Sequence, residues 1–434
     1  MNVHLGGLRY GGIADDLTGG LELASVMVAQ GENCPLVTAP QALETLTEHD
    51  TAVVVAMRTR LAPAARAVER VDAAAAALLA RGASRLFFKY CATFDSTPAG
   101  NIGPCADALM RRVGAAITGF CPSFPEVART VYQGHLFVAD QLVSESPKRL
   151  DPATPMTDPD LVRVLQAQTP HQVGLLSHDV IIRGGDACRA HLDRLAAGGV
   201  TCVIFDAVDE TDLVALAELT VDWPLMTGGS SIAVYYPRLW RRSTAAAPPA
   251  ALPEVYGPAV VLAGSCADRT REQLSHFEVQ RPVLRLDPVD CAEDPAAAVA
   301  MAVEWAAARW EAGPVAVATS ATPEAVERAK ARLGTELAGQ LPEQLLGALA
   351  AALRDRGVRR FLVAGGETSG AVVEALGIRR LDVEPYELAG VHRAVSAEAD
   401  PVSMHLKSGK LGPVDMFLSV LGDRHAGLRH GAGR

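Results

Sequence analysis

Short runs rich in Val, Leu and Phe alternate along the chain with longer Ala- and Leu-rich stretches, and Gly-rich turns often separate the two. The short runs, which predict β-strands, lie at 53–55, 86–89, 200–205, 259–263, 315–318 and 361–364. The longer stretches, which predict helices, lie at 20–30, 63–80, 186–197, 296–311 and 342–356. Because strands that alternate with helices form parallel βαβ units, the pattern predicts an α/β fold with two domains and largely parallel sheets.

One segment interrupts this alternation. Residues 241–256 are rich in proline and alanine and have no apolar period, which is typical of a linker. The segment separates a predicted domain at 1–240 from a second one at 257–421, and the Gly- and Arg-rich stretch 422–434 is predicted to be a flexible tail. The Pro-rich stretch 146–159 contains interspersed polar residues and is interpreted as a long functional loop.

Composition narrows the classes of function. The chain has 434 residues, of which 49% are hydrophobic and 21% charged, as in ordinary globular proteins. Its net charge of −10, without basic runs, argues against nucleic acid or an anionic membrane as a partner. No apolar stretch approaches the length of a membrane span, no signal layout opens the chain, and the eight cysteines form no CxxC pair. These features predict a cytoplasmic protein with reduced cysteines; a homo-oligomer is compatible with the sequence but is not specified by it.

A Gly-rich turn in the C-terminal half has the layout of a phosphate site. The predicted strand 361–364 runs into Gly365, Gly366, Glu367 and Thr368, and a helix is predicted at 371–376. Strand, glycine turn and helix together point free backbone N–H groups at an anion. Thr368 could cap the helix or donate to phosphate oxygens. Taken alone, the motif is equally typical of an ordinary turn between a strand and a helix.

Two similar turns strengthen the interpretation. Ser265 follows the predicted strand 260–263, and Lys407, Gly409 and Lys410 lie in a Lys- and Gly-rich loop near the end. Three such turns in one domain favour a nucleotide site at the strand ends, where a lysine could neutralise phosphate charge. The motifs of P-loop NTPases, dinucleotide-binding dehydrogenases and protein kinases are absent from the sequence.

The N-terminal half offers paired carboxylates. Asp15 and Asp16 follow the first apolar run and precede a predicted helix at 21–30. Such a pair can hold a polyol, hold Mg²⁺ or act as a base. Asp16 or Thr18 could instead simply cap the helix.

A second polar segment follows the predicted strand 86–89. Lys89 could meet a substrate carboxylate, while Asp95, Ser96 and Thr97 could hydrogen-bond hydroxyl groups. The segment therefore suits a small, polar, anionic ligand, although ordinary turn chemistry would produce a similar composition.

Two arginines could complete this site. Arg58 and Arg60 follow the predicted strand 53–55 and would form a carboxylate clamp, unless they are surface arginines. The Gly/Ser turn at 227–231 is a further strand-end candidate. The histidines show no metal-ligand spacing, so no protein-held metal site is predicted.

Six motifs, taken in order, closely resemble those of the four-carbon acid sugar kinases, and most closely the 3-oxo-tetronate kinase branch. They are GIADDLTG at 12–19, KYCATFDST at 89–97 with GNIG at 100–103, TGGSS at 227–231, GSC at 264–266, GGET at 365–368 and LKSG at 406–409. Each motif is weak alone, but the ordered set spans roughly residues 10–418.

The resemblance implies a substrate domain followed by a nucleotide-binding domain, with the active site in the cleft between them. It also implies ATP as donor and a phosphate ester at C4 as product. ATP contacts then fall, by motif match, on Ser265, Gly365, Gly366, Glu367, Thr368 and Gly409. In the expected mechanism Mg²⁺ bridges the β- and γ-phosphate oxygens, and Asp16 or Asp95 accepts the hydroxyl proton, with Asp15 as a further alternative.

One segment departs from the family pattern. Before Pro152 the family more usually carries Asn-His, whereas this chain has Leu150 and Asp151. The departure bears on the identity of the substrate more than on its class. A threonate or erythronate 4-kinase, and a non-catalytic sensor of nucleotide and sugar acid, are the alternative functions.

Overall fold

The chain divides into two compact units, Met1–Ala250 and Ala251–Arg434. The structure is a computed structural model and describes residues 7–151, 153–241 and 251–421. The predicted tail at 422–434 and most of the predicted linker, residues 242–250, lie outside the described residues.

The first unit alternates strands and helices, as its apolar pattern predicts. Its strands are β1 (Tyr10–Ala14), β2 (Leu36–Val37), β3 (Ala52–Ala56), β4 (Arg85–Lys89), β5 (Thr118–Cys121), β6 (Arg129–Tyr132), β7 (His135–Val138), β8 (Gln141–Leu142), β9 (Gln172–Leu176), β10 (Val200–Phe205) and β11 (Leu225–Gly228). Its helices are α1 (Leu17–Ala29), α2 (Ala64–Ala80), α3 (Ile102–Val113), α4 (Leu161–Gln166), α5 (His178–Ile181), α6 (Gly185–Ala197), α7 (Glu210–Thr220) and α8 (Tyr236–Arg241).

The main sheet of this unit is parallel throughout, in the order β2-β3-β1-β4-β11-β5-β10-β9. Strands β1 and β3 are buried along their whole length, which explains why they read as continuous apolar runs. Because the strands are parallel, the segments that follow β1, β3, β4 and β11 meet at one edge of the sheet. That edge carries the polar segments identified from the sequence.

A small antiparallel sheet, β6-β7-β8, was not expected from the sequence. Strands β6 and β7 are joined at Gln133 and Gly134, whose φ angles are 49° and 74°. Two consecutive positive φ angles form the type of tight turn that matches the twist of a hairpin.

The second unit repeats the alternation. Its strands are β12 (Ala259–Ala263), β13 (Val283–Arg285), β14 (Val315–Ala318), β15 (Arg360–Ala364), β16 (Arg380–Val383), β17 (Val391–Ser396) and β18 (Ser403–Lys407). Its helices are α9 (Asp268–Glu278), α10 (Pro288–Cys291), α11 (Pro295–Ala307), α12 (Pro323–Leu333), α13 (Thr335–Asp355), α14 (Gly366–Ala375) and α15 (Met416–Leu421).

The sheet of the second unit is parallel through β13-β14-β12-β15-β18 and continues with antiparallel β17 and β16. The predicted α/β fold with largely parallel sheets is therefore confirmed in both units. The described part of the chain contains no helix that is both long and apolar enough to cross a membrane.

Two predicted helix starts in this unit are wrong. The helix expected to begin at Pro342 begins at Thr335 and contains Pro342 in its interior. Leu341 and Leu345, on either side of the proline, are buried, so the packing of this face offsets the hydrogen bond that proline cannot donate. The helix expected at 371–376 begins at Gly366, so the Gly-rich motif lies largely inside its first turns.

Candidate functional site

Asp15 and Asp16 are joined by one arginine at the edge of the first sheet. Arg60 donates from Nε and Nη2 to the two oxygens of Asp15, both at 2.8 Å. Its Nη1 lies 2.8 Å from Oδ2 of Asp16. Oδ1 of Asp16 accepts from the backbone N of Gly19 at 2.6 Å and caps α1. Arg60 therefore holds both carboxylates in fixed orientations.

Burial gives this cluster its electrostatic character. The side chain of Asp15 is 5% exposed and that of Arg60 is 20% exposed. Burial raises the pKa of Asp15 above its ordinary value, against the opposing charge of Arg60. The backbone supports the pair, because the N–H groups of Thr59 and Arg60 both donate to the carbonyl of Asp15.

The other predicted arginine is more accessible to solvent. The side chain of Arg58 is exposed, whereas that of Arg60 is 20% exposed. The loop is instead fixed by Asn101, whose Nδ2 donates to the carbonyl of Thr59 at 2.7 Å.

Asp95 forms a second charged cluster with a lysine that the sequence analysis did not select. Nζ of Lys148 lies 2.6 Å from Oδ1 of Asp95 and 2.9 Å from Oδ2 of Asp151. Thr93 also donates to Oδ1 of Asp95, at 2.6 Å. In the described residues all of these contacts of Asp95 reach Oδ1, so Oδ2 is the oxygen left for a ligand.

The surroundings keep Asp95 ionised. Burial works to raise its pKa, but the charges of Lys148 and Arg60 outweigh burial and hold the pKa below its ordinary value. Phe94, which precedes Asp95, has a φ of 53°, a strained value for a bulky residue. The ring of Phe94 is fully buried against Tyr90, which fixes this turn and the direction of Asp95.

Ser96 and Thr97 are held by a residue from a distant part of the unit. Nε2 of Gln168 donates to Oγ of Ser96 at 2.8 Å and to the carbonyl of Thr97 at 3.0 Å. A Cβ on Gly100 would overlap the Ser96 hydroxyl, which explains the glycine at that position. This packing makes the loop after β4 rigid.

Lys89 is buried rather than presented to solvent. Its Nζ donates to the carbonyl of Tyr90 at 2.9 Å and lies 3.9 Å from Glu22. Glu22 in turn accepts from the hydroxyl of Ser230, in the turn after β11. Burial raises the pKa of Glu22, against the charge of Lys89. The 227–231 turn thus reaches the same sheet edge as the aspartates.

Lys148 and a nearby arginine are cations that the sequence analysis missed. Lys148 lies in the loop interpreted as functional, so the polar composition of that loop was its available signal. Arg129 begins β6, a strand that was not predicted. Burial lowers the pKa of Arg129, and the charges of Cys91 and Asp95 act on it in the opposite direction. These two cations therefore accompany Asp95 in addition to Arg60.

In the second unit, strand ends bring the predicted turns together. The N–H groups of Gly264 and Ser265 both donate to the carbonyl of Ala364, each at 3.1 Å. Gly365 has a φ of 129°, and a Cβ there would lie 2.9 Å from Oγ1 of Thr368 and 3.3 Å from the N of Ser265. The turns after β12 and β15 are therefore in direct contact.

The third turn joins the same cluster. A Cβ on Gly409 would overlap the Ser265 hydroxyl, so the two backbones approach as closely as glycine allows. The carbonyl of Gly409 accepts from Oγ1 of Thr270 at 2.8 Å, which ties the turn to α9. We call Ser265, Gly365, Thr368 and Gly409 the glycine cradle.

The backbone N–H groups at the start of α14 have no capping side chain. Its N-cap residue is Gly365, and no side chain caps the helix there. Thr368 and Ser369 lie within the helix, and the hydroxyl of Ser369 donates back to the carbonyl of Gly365 at 2.7 Å. The expectation that Thr368 could cap the helix is therefore wrong. Gly366 and Glu367 form the first turn, where backbone N–H groups have no helical partner.

Similar proteins share both units. The family model of a sugar-binding N-terminal domain matches residues 10–236, and that of a nucleotide-binding C-terminal domain matches residues 260–417. The 3-oxo-tetronate kinase of Burkholderia multivorans is 44% identical over 415 residues, which cover 95% of this chain and 96% of that protein. The 3-oxo-tetronate kinase of Cupriavidus necator is 44% identical over 418 residues, with 95% and 96% covered.

Solved structures agree with this relationship. A protein from Salmonella typhimurium superimposes with a TM-score of 0.82 at 36% identity, covering 96% of this chain and 99% of that one. A protein from Haemophilus influenzae gives a TM-score of 0.73 at 33% identity, covering 94% and 98%.

Proposed function

Because the chain belongs to the four-carbon acid sugar kinase family, as its motifs indicated, we propose that it phosphorylates 3-oxo-tetronate with ATP. The enzyme is a phosphotransferase with an alcohol group as acceptor, and its products are 3-oxo-tetronate 4-phosphate and ADP. The observation that carries this proposal is the 44% identity to 3-oxo-tetronate kinases over 95% of the chain.

The edge of the first sheet is the proposed acid sugar site. Three nitrogens of Arg60 already bind Asp15 and Asp16, so the role of Arg60 is to hold these carboxylates towards the sugar hydroxyls. Lys148 and Arg129 accompany Asp95 and are the cations proposed to meet the substrate carboxylate. Lys89, paired with Glu22, supports this edge from beneath.

Asp95 is the proposed general base. Each oxygen of Asp15 binds Arg60, and each oxygen of Asp16 is bonded to Arg60 or to Gly19. Asp95 keeps Oδ2 for the substrate hydroxyl and is held ionised by Lys148. It can therefore orient the C4 hydroxyl and accept its proton as the phosphoryl group is transferred.

The glycine cradle is the proposed site for the ATP phosphates. Backbone N–H groups at the start of α14 and the hydroxyls of Ser265 and Thr368 supply donors, while the glycines allow close approach. We include Mg²⁺ as a companion of the nucleotide, held chiefly by the phosphates. Within the described ranges, no three His, Cys, Asp or Glu side chains are grouped so as to hold a metal.

The proposal includes a cytoplasmic location, where ATP is available and cysteines stay reduced. A coupled ADP-release assay with 3-oxo-tetronates, threonate and erythronate tests it. The proposal expects ADP release that depends on a 3-oxo-tetronate. Faster turnover of threonate or erythronate would indicate a threonate or erythronate 4-kinase. The absence of any substrate-dependent ADP release would indicate a non-catalytic sensor.

A further inference from the structure

A lysine lies buried beneath the glycine cradle. Lys407 is the last residue of β18 and is 0% exposed. Its Nζ donates to Oγ1 of Thr270 at 3.1 Å and lies 3.4 Å from the carbonyl of Gly409. Its own carbonyl accepts from the N–H of Gly365 at 3.0 Å. Lys407 therefore contacts two turns of the glycine cradle, at Gly365 and at Gly409, and it also contacts Thr270 of α9.

This lysine has no anionic partner in the described part of the chain. Its register partners on β15 and β17 are Ala364 and Val391, neither of which titrates. The hydrogen bonds of its Nζ go to oxygens of Thr270 and Gly409, and neither acceptor is a carboxylate. The charged group that acts on Lys407 is Arg269 on α9, which is itself a cation paired with Glu272 at 2.9 Å.

The surroundings disfavour a charge on Lys407 in the ligand-free protein. Burial, with a smaller contribution from Arg269, lowers its pKa to about 7. Thr270 lies in the first turn of α9, and the N-terminal end of a helix also repels a cation. A buried ammonium group without a counter-ion is costly, so near neutral pH much of this amine is uncharged.

An anion at the cradle would reverse this balance. Resting on the function proposed above, we propose that Lys407 is a phosphate-stabilising residue that takes up a proton when nucleotide binds. The amine gains one proton to become an ammonium, the proton comes from the buffer, and the nucleotide phosphates supply the missing negative charge. The ammonium group occupies the position of the present amine, next to Thr270 and the carbonyl of Gly409.

The sign of the pH dependence follows from this scheme. In the free protein the pKa of Lys407 is about 7, so below this pH Lys407 is already charged. The ammonium group then stabilises the bound nucleotide fully, without proton uptake. Above that pH, each binding event must also bind a proton. The affinity contributed by Lys407 then falls by about tenfold per pH unit until the pKa of the complex is reached.

Isothermal titration calorimetry with ADP tests the proposal. Titrations at pH 6 and pH 8, in buffers of different ionisation enthalpy, give the number of protons taken up on binding. The Lys407→Met variant removes the titrating group, while Lys407→Arg keeps a charge that does not titrate. Protons exchanged by ADP itself cancel in the difference between wild type and variant.

The expected difference between wild type and Lys407→Met is about one proton at pH 8 and close to zero at pH 6. Lys407→Met should weaken ADP binding more at pH 6 than at pH 8, and Lys407→Arg should bind ADP without the additional proton. Equal proton uptake in wild type and Lys407→Met would overturn the proposal.

Two further outcomes separate this proposal from its alternatives. A purely structural tether would make Lys407→Met less stable without changing the proton count, which overturns the proposal. If Lys407→Met does not fold, Lys407→Arg serves as the reference, because its charge does not titrate, and equal proton counts in wild type and Lys407→Arg at pH 8 overturn the proposal. If ADP binds without the additional proton, the proposal for Lys407 fails and the proposed kinase function stands. If ADP does not bind at all, the proposed nucleotide site itself is contradicted.

Discussion

The ammonium group of Lys148 lies 2.6 Å from Oδ1 of Asp95, although the two residues come from separate loops of the first unit. Lys148 is also 2.9 Å from Asp151, in the same loop. The lysine fixes one oxygen of Asp95 and leaves the other for a ligand. This arrangement connects the 146–159 loop to the proposed base and leads to the first prediction.

Replacing Lys148 should move the acid limb of the pH profile. Lys148 lowers the pKa of Asp95, so Asp95 loses its proton at a lower pH than it would alone. In Lys148→Met the carboxylate should hold its proton to higher pH, and activity should be lost about one pH unit or more earlier on acidification. Profiles of kcat/KM against pH measure the shift. Lys148→Arg should largely restore the acid limb of the wild type. If the acid limb does not move in Lys148→Met, Lys148 does not control the pKa of Asp95.

Asp95→Asn should abolish most turnover without affecting nucleotide binding. The amide cannot accept the proton of the sugar hydroxyl, so kcat should fall by about 10²- to 10⁴-fold. Calorimetry with ADP should give an unchanged affinity. Asp193→Asn, at an exposed position on α6, is the matched control. Near-normal turnover of Asp95→Asn would remove Asp95 from the base role.

Removing Arg60 should destabilise the fold as well as the site. Arg60→Met would leave Asp15 buried without its cation, and breaking a buried pair of this kind costs about 3–5 kcal/mol. Chemical denaturation measures the loss. Arg112→Met breaks an exposed pair with Asp72 and should cost much less, because solvent screens the two charges. Equal losses in the two variants would show that the Arg60 cluster is not a buried, interdependent unit.

Filling the glycine cradle should weaken ATP binding selectively. A Cβ on Gly409 overlaps the Ser265 hydroxyl, so Gly409→Ala must displace one of the two turns. Such displacements at a binding site commonly cost about tenfold or more, here expected in the KM for ATP and not in that for the sugar acid. Gly339→Ala, in α13 with open space around it, is the control. An unchanged KM for ATP in Gly409→Ala would contradict the cradle.

The fold could be predicted wherever burial was continuous. Strands such as β10 and β12 have the bounds expected from their apolar runs, because both faces of a parallel sheet are covered. The antiparallel strands β6 and β7 carry mixed, partly exposed residues and gave no such signal. The start of α13 was predicted at Pro342, whereas the helix begins at Thr335 because its packing offsets the hydrogen bond that the proline cannot donate.

The sequence allowed candidate site residues to be selected, but it did not allow the contacts between them to be predicted. Asp15, Arg60 and Asp95 were selected because they follow strand ends, which is a local property of the sequence. The pairing of Asp95 with Lys148 depends on where a distant loop returns to the sheet edge, and a single sequence does not carry that information. The burial of Lys407 was likewise not visible, because a lysine beside glycines is typical of an exposed loop.

The central claim is the transfer of the γ-phosphoryl group of ATP to C4 of a 3-oxo-tetronate. Nuclear magnetic resonance of the purified product tests it most directly, because the coupling of phosphorus to carbon and hydrogen identifies the esterified position. The account predicts one phosphate ester at C4 of 3-oxo-tetronate, formed in step with ADP. Phosphate on another position, or ADP accompanied only by inorganic phosphate, would contradict it.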